Sequence, residues 1–175
     1  NKTIYIKPNR FGQVTPEQIE SIIDKNTKLV SVISTNNEIG TDINLNDILE
    51  VISDEIVFHT DATQSLTHDK DALKAIGLLQ ERVDMFSVSA HKFHGPKGVG
   101  LLIANKKSQD NLVPIIHGGN HERGLRSGTL NVPGIVGLAE ALRIQNKCEI
   151  SVEKLRIEFE EQLIVKLPEE VKYSI

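Results

Sequence analysis

Short apolar runs rich in β-branched residues alternate along this chain with stretches of helical periodicity, and that alternation predicts its fold class. Leu29 to Ser34 (LVSVIS) reads as a buried strand, and Leu45 to Ile52 as an amphipathic helix with Asn44 as its candidate cap. Ile56 to His59 reads as a second strand, a helix follows from about Asp71 to Gln80, and Met85 to Ser89 makes a third strand. Strands alternating with helices predict right-handed crossovers and a mostly parallel sheet. The run Val99 to Ala104 follows too soon for a parallel crossover, so it is predicted to lie antiparallel to its neighbour. From Val132 to about Leu167 the pattern is helical, opened by Pro133 and stopped by Pro168. Ile135, Leu138 and Leu142 form a stripe there that suits either a core or a partner.

Composition narrows the class of molecule. A chain of 175 residues that is 39% apolar can bury the core of one domain. Its net charge of -4, with acids and bases intermixed, gives no footprint for nucleic acid or for a polybasic membrane contact. No apolar run has the length of a spanning helix, and the start lacks a charged and then apolar leader, so a cytoplasmic protein is expected. The single cysteine, Cys148, cannot form an internal disulfide, which fits a reducing compartment. The first residue is Asn, and Val171 to Ile175 reads as an unfinished strand, so a piece of a longer protein is expected.

Open α/β sheets bind ligands beyond the carboxyl ends of their strands. Past the first predicted strand stands Thr35-Asn36-Asn37-Glu38-Ile39-Gly40, past the second Thr60-Asp61-Ala62-Thr63-Gln64, and past the third Ser89-Ala90-His91-Lys92. Together they offer an amide, a carboxylate with an amide, and an amine with a hydroxyl and an imidazole. That set suits a pyridine aldehyde such as pyridoxal phosphate: a carboxylate for the ring nitrogen, donors for the phenolic oxygen and phosphate, and a lysine for the aldehyde. Taken singly, each is an ordinary turn or surface group; their joint occurrence at neighbouring strand ends carries the reading. The pairs His91/His94 and His117/His121 are set aside as metal ligands, because the glycines around them oppose a rigid helix presenting both rings. Gly119 and Gly124 have the interval of a phosphate loop, but Leu125 stands where its lysine belongs. Arg123 and Arg126 suit either an anion clamp or an exposed loop.

Four segments, Asn36 to Gly40, His59 to Gln64, Ser89 to Gly98 and Gly118 to Thr129, resemble in order the cysteine desulfurases of the class V aminotransferase family. The Arg126-Ser127-Gly128-Thr129 stretch is similar to the group that serves iron-sulfur assembly. The resemblance implies the large domain of a fold-type I pyridoxal-phosphate enzyme: an α/β, three-layer αβα fold with a mostly parallel sheet and one antiparallel strand. It implies a large-domain segment over 1–132, a long helical connection over 133–167, and the start of a second domain over 168–175.

By the same resemblance Lys92 anchors the cofactor and shuttles the substrate α-proton, and its amine is kept neutral by desolvation and the cationic ring. Asp61 pairs with the ring nitrogen, Gln64 and Asn37 contact the phenolic-oxygen side, and Ser89 and His91 bind the phosphate. Thr129 reaches the phosphate of a partner subunit, which implies a homodimer. The substrate implied is L-cysteine, with sulfur passed as persulfide to an acceptor or scaffold protein and no metal involved. Cys148 does not match the family's sulfur-accepting cysteine, which is expected outside this chain together with the substrate-carboxylate arginine, the upstream glycine-threonine turn and the ring-stacking histidine; the segment alone is expected to be inactive. Another class V aminotransferase or lyase, or a cofactor-free dimerising relic of the fold, are the alternatives.

Overall fold

A computed structural model describes residues 2–68, 72–145 and 152–168 of the chain. Its framework is a four-stranded sheet, β1 (Leu29–Ile33), β2 (Val57–Asp61), β3 (Met85–Ser89) and β4 (Gly100–Ala104), in that spatial order. β1, β2 and β3 run parallel and β4 antiparallel to β3, as the spacing predicts. The second strand begins one residue later than its apolar pattern suggests and ends two later. Asp61 completes the ladder between Ile33 and Ser87, so the carboxylate sits on the strand itself.

The period of two in each strand decides which face is covered. Val32, Phe58, Phe86 and Val88 share one buried face with Thr60, while Val57, His59 and Asp61 point to the other and are half-buried. The helices supply the rest of the core: Ile19 from α1 (Pro16–Glu20), Ile48 from α2 (Leu45–Glu50), Leu66 from α3 (Ser65–His68), and Leu138, Ala141 and Leu142 from a longer helix described below. Phe58, Phe86 and Phe93 are among the largest fully buried side chains, each contributing roughly 1.5–3 kcal/mol of burial free energy.

Caps define the helix starts. Thr15 and Gln18 form a reciprocal capping box at α1, and the Asn44 side chain accepts from Asn46 N–H at α2, as expected of it. α4 spans Ala72–Arg82, and α5 (Lys106–Asn111) starts at Asn105, whose side chain accepts from Ser108 N–H. Of the long predicted helix, the described parts are α6 (Val132–Gln145) and α7 (Val152–Lys166); Cys148 lies outside the described residues, as do residues 169–175. Leu138 and Leu142 of the apolar stripe face the core, while Ile135 is 37% exposed. None of the described helices is long and apolar enough to cross a membrane.

Candidate active site

The strand register fixes the place of one candidate residue, Asp61, while Ser89 ends β3 two residues past the Asp61 row. Ile33, Asp61 and Ser87 form one row across the three parallel strands, and each strand ends at or just beyond it. Two buried or half-buried serines hold that row. Ser34 Oγ donates to the Asp61 carbonyl at 2.9 Å and lies 3.0 Å from Ser65 Oγ, which donates to the Ala62 carbonyl at 3.1 Å. Ala62 N–H in turn donates to the Ser87 carbonyl at 3.0 Å. Asp61 Oδ1 accepts from Thr63 N–H at 2.9 Å. Among the described residues no donor reaches its Oδ2.

The lysine segment is a 3-10 turn, Ala90–Phe93. Ala90 and Phe93 are buried at its two ends, and the residues between them, His91 and Lys92, are thrown outward. Ala90 N–H donates to the Val99 carbonyl, and Gly95 N–H to the Ala90 carbonyl at 2.9 Å. His94 closes the turn with φ 66°, so its part is conformational. A Cβ at Gly95 would stand 2.9 Å from both Cβ and O of Ala90, and one at Gly137 of α6 would stand 2.7 Å from the Pro96 ring. Both glycines therefore permit the close packing that fixes the turn. The Lys92 amine is exposed and makes no hydrogen bond or ion pair among the described residues, whereas Ser89, the last residue of β3, is half-buried.

Asn37 and Gln64 line an open cleft of about 1070 Å³ between the end of β1 and helices α2 and α4. Asp61, Ser89, His91 and Lys92 are not part of its lining. Asn37 is exposed in a turn shaped by its neighbour, since Asn36 Oδ1 accepts from the N–H groups of Glu38 and Ile39.

Thr129 is exposed on the loop that leads into α6 and forms no hydrogen bond with the other candidates. Upstream in that loop, Ser127 is buried and accepts from Asn120 N–H at 3.2 Å, and His121 Nδ1 accepts from Gly128 N–H at 3.2 Å. Arg123 donates to Gln109 and so ties the loop to the helix Lys106–Asn111, while Arg126 donates to the Gly128 carbonyl within the loop itself.

His59 is a residue whose role sequence reasoning missed. It faces the same side of β2 as Asp61, its Nδ1 lies 2.8 Å from Ser31 Oγ, and burial holds its pKa below the ordinary histidine value against the opposing pull of Asp61. The signal was its place two residues before Asp61, which puts the two on one face of a strand. Ser34 and Ser65 were missed too, because a hydroxyl's role follows from register.

The family model for class-V aminotransferases matches residues 2–174. The chain belongs to that family. A curated relative, the cysteine desulfurase IscS of Histophilus somni (strain 2336), is 43% identical over 154 residues, covering 87% of this chain and 37% of that protein. A solved NifS-like protein superposes with a TM-score of 0.72 at 41% identity, over 82% of this chain and 38% of its own. A structure of SspA in complex with cysteine gives 0.73 at 38% identity, over 90% and 44%. This class-V chain thus spans about two fifths of the length of these relatives.

Proposed function

We propose that this class-V chain carries the cofactor-anchoring part of a pyridoxal-phosphate-dependent cysteine desulfurase, which removes sulfur from L-cysteine as a persulfide and leaves L-alanine. The observation that carries the reading is the position of Asp61 at the carboxyl end of β2 and of Ser89, followed directly by the Lys92 turn, at the carboxyl end of the adjacent parallel β3, the side on which such sheets bind ligands. The donor set fits the group: a carboxylate with one oxygen engaged by Thr63 and the other open, a hydroxyl and an imidazole beside an exposed amine, and amides at Asn37 and Gln64. The 43% identity to a cysteine desulfurase, and the solved cysteine complex of a similar protein, support cysteine as the substrate.

Pyridoxal phosphate, when bound, supplies an electron sink that acidifies the α-proton of an amino acid. Asp61 would hold the protonated ring nitrogen, and Ser89 and His91 would donate to the phosphate. Asn37 and Gln64 would contact the phenolic-oxygen side. Lys92 would anchor the group and then, as a free amine, take the proton from substrate Cα and return it, a role worth roughly 10²–10⁴-fold in rate. Thr129 would reach the phosphate held by a second copy of the protein, making the working unit a homodimer. The sulfur-accepting thiolate would be a cysteine other than Cys148, and the sulfur would pass to an acceptor protein of iron-sulfur assembly or RNA thiolation.

The test is an absorption spectrum of the chain after incubation with pyridoxal phosphate and gel filtration, beside Lys92→Ala. A retained visible band that disappears in the variant is the expected result. A band that survives in Lys92→Ala would remove Lys92 from the role.

A further inference from the structure

The surroundings of His59 carry an inference that rests on the proposed role of Asp61. The two residues lie two apart on one face of β2, about 7 Å along the strand. On the β1 side His59 stands opposite Ser31 in the register, with Oγ 2.8 Å from Nδ1. On the β3 side its partner is Met85, apolar and buried. The ring therefore has a hydroxyl on one flank, a thioether on the other and a carboxylate ahead. Neither Ser31 nor Met85 titrates, and Asp61 is the titratable group among the described residues that acts on His59. A cation at position 59 would compete for the Asp61 charge with any cationic group that Asp61 is meant to hold. A Ser31 hydroxyl that donates to Nδ1 leaves the ring proton on Nε2 and fixes one neutral tautomer.

We propose that His59, steered by Ser31, is a positioning residue for Asp61: it fills the flank of the carboxylate with a neutral ring in one tautomer. The charge of Asp61 then stays committed to a cationic group bound beyond the strand ends. His59 itself touches no reacting atom in this scheme.

Imidazole ¹⁵N NMR on the cofactor-free chain tests the pair directly. At neutral pH the His59 signals should report a single uncharged tautomer with the proton on Nε2. Ser31→Ala should mix the tautomers, and Asp61→Asn should move the His59 titration to lower pH. A charged ring at neutral pH, tautomers unaffected by Ser31→Ala, or a titration unmoved by Asp61→Asn would overturn the proposal.

Pyridoxal phosphate binding supplies the second readout. His59→Lys should raise the dissociation constant about tenfold or more, while the neutral His59→Asn should stay within about threefold of wild type. Equal affinity in the wild type and His59→Lys would also overturn it. A wild-type chain that retains no cofactor would instead count against the function proposed above, because the NMR arm needs no cofactor and decides the His59–Asp61 pairing alone.

Discussion

At Thr60 the chain buries a hydroxyl in an apolar setting, fully enclosed between Val32 and Phe86 in the register and, among the described residues, without a hydrogen-bond partner for Oγ1. An unsatisfied buried polar group costs free energy that an apolar group of the same shape does not. Thr60→Val should therefore raise unfolding stability by about 1 kcal/mol, read as a higher urea midpoint at unchanged slope. His59 gives a pH dependence of known sign. Its folded pKa is depressed by burial, so its contribution to stability is full above the unfolded value of about 6.5. It is lost as pH falls below that value and through the lowered folded one. His59→Asn should flatten the stability profile on the acid side of that window, measured by urea unfolding at a series of pH values. Lys92 and Asp61 could be singled out as candidates from residue type and strand-end position, and the structure has Asp61 ending β2 and Lys92 in the turn after β3. The Ser34–Ser65 support could not, because a serine in a strand says nothing until its neighbour across the ladder is known.

Among the elements, β2, β3 and α5 are joined at the end of the sheet opposite the lysine turn. Asp84 Oδ2 accepts from Phe58 N–H at 2.8 Å and Oδ1 from the Asn105 side chain at 2.7 Å, while Asn105 N–H donates to the Asp84 carbonyl. One carboxylate thus satisfies a strand end and orients the residue that caps α5. Asp84→Ala should cost about 2–3 kcal/mol, because it strands a backbone donor and loosens a cap; chemical denaturation gives the number. Asp84→Asn, which keeps an acceptor for Phe58, should lose less. The strands and the antiparallel turn of β4 could be read from period and spacing, since those follow from burial on one face. α1 and α5, of five and six residues, could not. α1 carries one apolar side chain, Ile19, beyond its proline and α5 carries none, so neither shows the period that α2 shows in six residues through Leu45, Ile48 and Leu49.

For the molecule as a whole, packing is unevenly distributed. The sheet and helices α1, α2 and α6 share one cluster of buried side chains, whereas α7 buries none of its residues and leaves Leu155 and Phe159 more than half exposed. A helix of this length is marginal in water without tertiary contacts. In the isolated chain the amides of α7 should exchange with deuterium within seconds to minutes, while those of β2 and β3 should be protected by several orders of magnitude, as hydrogen-exchange mass spectrometry would show. The exposed amine of Lys92 follows the same logic, since whatever desolvates it must come from groups beyond its own turn.

The antiparallel placement of β4 also bears on the order in which the chain becomes organised. Partners across the two parallel pairs are 28 and 26 residues apart, as in Leu29↔Val57 and His59↔Met85, whereas Ser89 and Gly100 are separated by only 11. Closing the shorter loop forfeits less chain entropy and is faster. The segment between those two residues contains Lys92, so its amine belongs to the most local contact in the sheet. The Asp61 row depends on two crossovers of longer range, so loop entropy favours closing the turn around Lys92 before that row is complete.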